Sequence, residues 1–268
     1  MSEHFRTLKI SNPRFEFDGL RMVTVKSQNL GRRGNVALYI PKEIEYPNSL
    51  PVYILLHGVY GSAWSWALQA GAHRTVERMI KADQIKPCIL AMPSDGLWGD
   101  GSGYVAHEYT SYEKWIVEDV PAIVKEVLPD TVKIGSYSIG GLSMGGYGAL
   151  LLGAKYPEFF KSISAHSAIT KWSELQPFVE ENIYMINNPD GHQDIIDVML
   201  KQNGKLPRLR FDCGLDDGLL EPNRALHKSL LEANIQHSYE EFNGGHEWPY
   251  WEKHLEDTLL FFDSNHNA

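Results

Sequence analysis

The stretch GGLSMGGYG, residues 140–148, sets one serine among five glycines. Glycine loses more conformational freedom on folding than any other residue, so this density marks a place where the chain bends sharply or approaches something closely. The flanks say which. YSIGGLS (137–143) reads as a strand, and GGYGALLLGAKYP (145–157) starts a helix directly after it. Gly141 to Gly145 therefore fits G-x-S-x-G in the strand-to-helix setting that pattern requires. Such a turn lifts the Ser143 hydroxyl to the carboxyl edge of a sheet. It also places it at a helix N-terminus, where unpaired N–H groups and a partial positive charge suit a developing oxyanion. A plain glycine-rich turn is the alternative, and the flanks argue against it.

The rest of the chain reads as alternating strands and helices. PVYILLHG (51–58) and PCILAMPSDG (87–96) are continuous apolar runs, the pattern of strands buried on both faces. LRMVTVKSQ (20–28) and NVALYIP (35–41) alternate and are separated by turn residues, which reads as an antiparallel start. KSISAHSA (161–168), LRFDCGLDD (209–217) and QHSYEEFN (236–243) are further strands. Helices are expected over 67–84, 111–128 with a kink or division at Pro121, 220–234 with Pro222 near its start, and 247–263. The expectation is an α/β fold with a mostly parallel central sheet, helices on both faces and a small insertion at about 170–207. No repeat, linker or low-complexity tract interrupts it, so residues 1–268 are read as a single domain.

A serine hydroxyl needs a base to take its proton. In chain order the base should follow an acid, and both should stand in later loops at the same sheet edge. His227 falls inside a predicted helix and His237 inside a predicted strand. His246 lies in NGGHEW, a loop between the last strand and the last helix, with two glycines freeing its backbone. It is the expected base. The acid should follow the preceding strand, where CGLDDGLLEPN offers Asp216, Asp217 and Glu221. The residues alone do not separate the two aspartates. A second oxyanion donor should come from HGVYGSAWSW (57–66), a backbone N–H near Val59 pairing with that of Met144.

Bulk properties exclude other classes. The formal charge is −9, which argues against a nucleic-acid or anionic-membrane binder. No apolar run is long enough to span a bilayer, and MSEHFRTLKI does not read as a signal peptide. Cys88 and Cys213 sit in apolar runs and read as buried reduced thiols, so a cytoplasmic location is expected. Asp95, Asp100 and His107 match no standard metal-binding spacing, so neither a metal nor any cofactor is expected. Trp64, Trp66, Trp98, Tyr104, Trp172 and Trp248 gather in loops at the expected ligand edge, where their faces could stack on sugar rings or hold aryl groups; Trp64, Trp98 and Trp248 are the candidate substrate contacts, and ordinary packing under the insertion is the alternative for each. His166 reads as a satisfied core histidine.

LLHGVYGSAWSW, GGLSMGGYGAL, CGLDDGLLEPN and GGHEW together resemble the esterase D-like branch of the α/β-hydrolases. That branch includes S-formylglutathione hydrolases, tributyrin esterases, acetylxylan and feruloyl esterases, and antigen 85-type mycolyltransferases. The likeness runs from about residue 35 to the C-terminus. It implies Ser143 as nucleophile, Asp217 rather than Asp216 as the acid, His246 as base, Val59 and Met144 as oxyanion donors, and Trp248 at the pocket border. The loop DGLWGDGSGYVAHEY is this chain's own. The expected activity is hydrolysis of short-chain carboxylic esters through an acyl-enzyme, with small esters such as acetylated or feruloylated oligosaccharides as substrates. A thioesterase of the S-formylglutathione type, an acyltransferase and a silent binding protein are the rival readings.

Overall fold

In a computed structural model, residues 4–41, 49–191, 193–202 and 204–266 are described. The strands are β1 Leu8–Ile10, β2 Leu20–Lys26, β3 Arg33–Tyr39, β4 Leu50–Leu56, β5 Ile89–Pro93, β6 Ala106–His107, β7 Thr110–Ser111, β8 Ile134–Leu142, β9 Phe160–His166, β10 Arg208–Gly214 and β11 Ser238–Phe242. The helices are α1 Ser65–Gln69, α2 Ala72–Lys81, α3 Tyr112–Lys114, α4 Val120–Val127, α5 Met144–Lys155, α6 Ile195–Leu200, α7 Leu220–Glu232 and α8 Trp248–His266. Nine strands make one sheet in the order β1-β2-β3-β5-β4-β8-β9-β10-β11, and β6 and β7 form a separate hairpin. The first three strands and β5 pair antiparallel. Along the nine-stranded sheet, every pairing from β5 to β11 is parallel.

The expected α/β architecture is what the chain adopts, and side-chain alternation on β4 shows why. All seven residues of β4 are buried. Val52, Ile54 and Leu56 point into a core shared with α4, α5, α6 and α7. Tyr53 and Leu55 point the other way, into a core shared with α1, α2 and α8. A period of two sends alternate side chains to opposite faces, so a strand covered on both must be apolar throughout. Helix α5 obeys the same logic. Its residues from Met144 to Ala154 are all buried, so it lacks a polar face.

Two expectations need correction and one is refined. The helix expected over 67–84 is two helices, because Gly71 takes a left-handed φ of 58° between α1 and α2. The helix expected over 111–128 is divided beside Pro121, by a change of winding rather than a break. A wide π turn, Trp115–Asp119, precedes α4 and places Pro121 in the first turn, where no N–H is needed. His237 lies just before β11, not in it. The strand β1, three residues at the sheet edge, was not anticipated.

Candidate active site

Four strand ends supply the site. β4, β8, β10 and β11 are neighbours or near neighbours in the sheet. The loops leaving their carboxyl ends carry Val59, Ser143, Asp217 and His246 respectively.

The turn at Ser143 answers what the glycines are for. None of the five has a positive φ; Ser143 itself does, at φ 54° and ψ −120°. The glycines provide room. A Cβ on Gly141 would fall 2.2 Å from the Gly145 carbonyl oxygen, and one on Gly145 would fall 2.3 Å from that of Leu56. Both obstacles are backbone, which cannot swing aside. The bend is pinned from its neighbour strand. Ser143 N–H donates to the His166 carbonyl at 3.0 Å, and Ile169 N–H donates to the Ser143 carbonyl at 3.2 Å.

The structure brings Ser143, His246 and Asp217 together. His246 Nε2 lies 3.0 Å from Ser143 Oγ. His246 Nδ1 lies 2.9 Å and 3.1 Å from the two Asp217 carboxylate oxygens. The Leu219 N–H donates to Asp217 Oδ1 at 2.8 Å. Burial alone would raise the Asp217 carboxyl, but the His246 ring, the Leu219 N–H and Ser167 together hold it below the usual aspartate range. An ionised Asp217 accepts from Nδ1–H, which leaves Nε2 free to accept the serine proton. Asp216 is exposed and turns away, its N–H donating to Gly244 O at 2.9 Å. Glu221 pairs with Arg224 on the surface.

Gly244, at φ 133°, lets the His246 loop double back. It packs so closely on β10 that a Cβ on Gly214 would lie 2.3 Å from its carbonyl oxygen. The imidazole stands edge-on to Trp251, with ring centres 5.0 Å apart.

Val59 and Met144 meet beside the serine. A Cβ on Gly58 would lie 3.2 Å from Ser143 Cβ, and one on Gly101 would touch both the Met144 sulfur and Val59 Cγ1. Met144 opens α5, so its N–H has no carbonyl one turn back. Among the described residues no backbone acceptor is bonded to the Val59 N–H. Two unengaged N–H groups next to a hydroxyl can bind a negatively charged oxygen.

The loop aromatics divide. Trp66, Tyr104 and Trp172 are buried and use their polar atoms on the Leu56, His57 and Ile183 carbonyls. They are packing residues, the alternative that the sequence left open for each loop aromatic. Trp248 is half-buried against Trp66 and Trp251. Trp64 is exposed. Trp98 sits edge-on to His107 and lines a cleft of about 450 Å³ between the 98–112 loop and Glu181 to Asn187. A larger cavity, about 650 Å³, opens at the amino ends of β10 and β11, the opposite edge from Ser143.

Phe178, from the insertion, was missed. Its ring stacks over His246 at 24° with centres 5.9 Å apart. Tyr60, at a left-handed φ of 60°, donates its hydroxyl to the Phe178 carbonyl and its N–H to Asp100 O at 2.8 Å. Asp100 also accepts from Glu180 N–H at 2.9 Å and donates its own N–H to Glu181 at 3.1 Å. The insertion is thus tied across the site. Nothing in the local sequence around Phe178 signals this, because the ties reach back some eighty residues.

Sheet order, serine turn and loop placement define an α/β-hydrolase. Residues 27–262 match the family described as "Putative esterase", and the chain belongs to it. An acetyl esterase of Caldicellulosiruptor saccharolyticus is 28% identical over 237 residues, covering 81% of this chain and 85% of that protein. Among solved structures, a ferulic acid esterase superposes with a TM-score of 0.78 at 22% identity, covering 98% of this chain and 99% of that one. An S-formylglutathione hydrolase from Staphylococcus aureus gives 0.75 at 17%, covering 95% and 99%. The chain is a serine ester hydrolase. No helix among the described residues is long and apolar enough to cross a membrane.

Proposed function

We propose that this chain hydrolyses short-chain carboxylic esters through an acyl-enzyme on Ser143. The observation that carries the reading is the 3.0 Å contact between Ser143 Oγ and His246 Nε2. As Oγ attacks the ester carbonyl, its proton passes to His246 Nε2, and the Asp217 carboxylate stabilises the resulting imidazolium. The carbonyl oxygen becomes an oxyanion and accepts from the Val59 and Met144 N–H groups. Collapse of this adduct breaks the bond to the alcohol, which leaves with the proton from His246. Water then attacks the acyl-serine with His246 as base, and Ser143 is regenerated as the carboxylic acid departs.

A short acyl group suits a site crossed by Phe178 and Tyr60, and the similarity to an acetyl esterase supports acetyl as the first choice. Exposed Trp64 and half-buried Trp98 and Trp248 near this edge suit an acetylated or feruloylated oligosaccharide as the alcohol side. Cys88 and Cys213 are buried and unpaired, which accords with cytoplasmic placement. We take the whole chain to work as one domain.

The test is initial rates for wild type and Ser143→Ala on one panel: p-nitrophenyl acetate through octanoate, methyl ferulate, acetylated xylo-oligosaccharides and S-formylglutathione. Wild type should prefer the short oxygen esters, and the variant should lose ~10³-fold or more. A variant that keeps its rate removes Ser143 from the reaction. A preference for S-formylglutathione by orders of magnitude replaces the ester reading with the thioester one.

A further inference from the structure

The peptide joining Gly58 to Val59 carries two polar atoms on opposite edges. Its oxygen belongs to Gly58 and its N–H to Val59. The amide is planar and trans, so fixing the direction of one fixes the direction of the other. The Gly58 oxygen is held from the protein interior, with His57 Nδ1 2.7 Å away and the Gly61 N–H at 3.4 Å.

The proton on that ring can be assigned. His57 Nε2 lies 3.0 Å from the backbone N–H of Asp95. A backbone N–H only donates, so Nε2 accepts, and the neutral ring carries its proton on Nδ1. That proton is the one the Gly58 oxygen receives. The ring is 2% exposed, and burial pushes it below the usual histidine range against the pull of the Asp95 carboxylate and the Gly58 carbonyl.

The surroundings hold this ring in place. Asp95 Oδ1 accepts from Leu97 N–H at 2.8 Å and Oδ2 from Ser102 N–H at 2.7 Å. Ser102 Oγ donates to the Asp95 carbonyl at 2.8 Å, and Tyr104 OH donates to the His57 carbonyl at 2.9 Å. Gly61 has no side chain because a Cβ there would fall 2.3 Å from His57 Nδ1.

We propose that His57 is a positioning residue for ester hydrolysis: by holding the Gly58 carbonyl, and itself held by the Asp95 N–H, it aims the Val59 N–H at the oxyanion. The proposal rests on the reading of Ser143 as nucleophile and Val59 as oxyanion donor. It adds a side chain that touches no substrate and acts through one peptide plane.

Two amide variants separate this role from simple core packing. In His57→Asn the amide nitrogen occupies the place of Nδ1 and can still donate to the Gly58 carbonyl. In His57→Gln the amide reaches the place of Nε2, keeping the Asp95 contact and losing the Gly58 one. The experiment measures kcat, KM, thermal midpoint and inhibition by an alkyl boronic acid, whose tetrahedral serine adduct puts an oxygen in the same hole. His57→Asn should stay within about fivefold of wild type, and His57→Gln should lose ~10²-fold in kcat with KM little changed. Boronic acid affinity should fall by the factor lost in kcat/KM. The proposal is overturned if the two variants are equally active, if activity merely follows the thermal midpoint, or if boronic acid affinity does not change.

Should neither variant fold, ¹⁵N imidazole spectra of wild type decide. A ring protonated on Nδ1 whose signal moves on adding the boronic acid supports the proposal. A ring protonated on Nε2, or a signal indifferent to the inhibitor, overturns it. An active wild type with indistinguishable variants removes this inference alone; an inert wild type removes the esterase reading with it.

Discussion

Ser143 at φ 54° occupies a backbone region that costs a side-chain-bearing residue of order 1–3 kcal/mol, and the strain is sustained by the neighbours that crowd it. The glycine density at 140–148 was readable as a bend or a close approach, and the structure divides the two: the bend falls on the serine, the closeness on Gly141 and Gly145. The division was not readable, because it depends on how near β4 runs, and that is a tertiary fact. The choice between Asp216 and Asp217 was likewise closed to pattern alone. Adjacent residues point apart, and only the doubling back of Gly244 decides which one His246 meets. Asp217→Asn should lower kcat/KM by ~10³–10⁴-fold, because an amide can donate to Nδ1 and so favours the wrong tautomer. Asp216→Asn should stay within about twofold, as is usual for an exposed polar change. Steady-state rates on p-nitrophenyl acetate check both.

At the scale of elements, the parallel strands were the most legible part. Strands buried on both faces must be continuously apolar, and β4 and β5 are. The helices were less so. Gly71 divides one that composition reads as continuous, and the division expected at Pro121 takes the form of a π turn just before it. The insertion was visible as an irregular tract, but not its reach over the site. Phe178 is carried there by Asp100 and Tyr60. Its ring limits the space beside His246, so Phe178→Ala should raise the octanoate-to-acetate ratio of kcat/KM by about tenfold, the worth of a few methylenes in a reshaped pocket. The same p-nitrophenyl series measures it. An unchanged ratio would mean that Phe178 borders no acyl chain.

Across the whole molecule, two buried carboxylates make stability depend on pH. Asp212 lies on β10 opposite His166, whose carbonyl accepts from the Ser143 N–H; it is 2.9 Å from His166 Nδ1 and 3.0 Å from Arg210, with Tyr250 OH donating to it at 2.8 Å. Burial would raise its carboxyl, but His166, Arg210 and Tyr250 hold it below the usual range, as the partners of Asp217 hold that one. In the unfolded chain both titrate near the ordinary value of about 3.9. As pH falls, the unfolded chain therefore binds protons first. The stabilisation is complete above that value and is lost as pH falls through the lower folded-state values. Urea melts should show stability falling below about pH 4, and Asp212→Asn should flatten the fall by removing one of the titrating groups. An equal slope in the variant would place the acid sensitivity elsewhere.

The most direct test of the central claim is to catch the acyl-enzyme. Wild type mixed with p-nitrophenyl acetate and quenched in acid within the first turnovers should carry one acetyl group, mapped by peptide mass spectrometry to Ser143. The Ser143→Ala protein should carry none. Turnover of the ester with no adduct on Ser143, or with the acetyl group on another residue, would contradict the account.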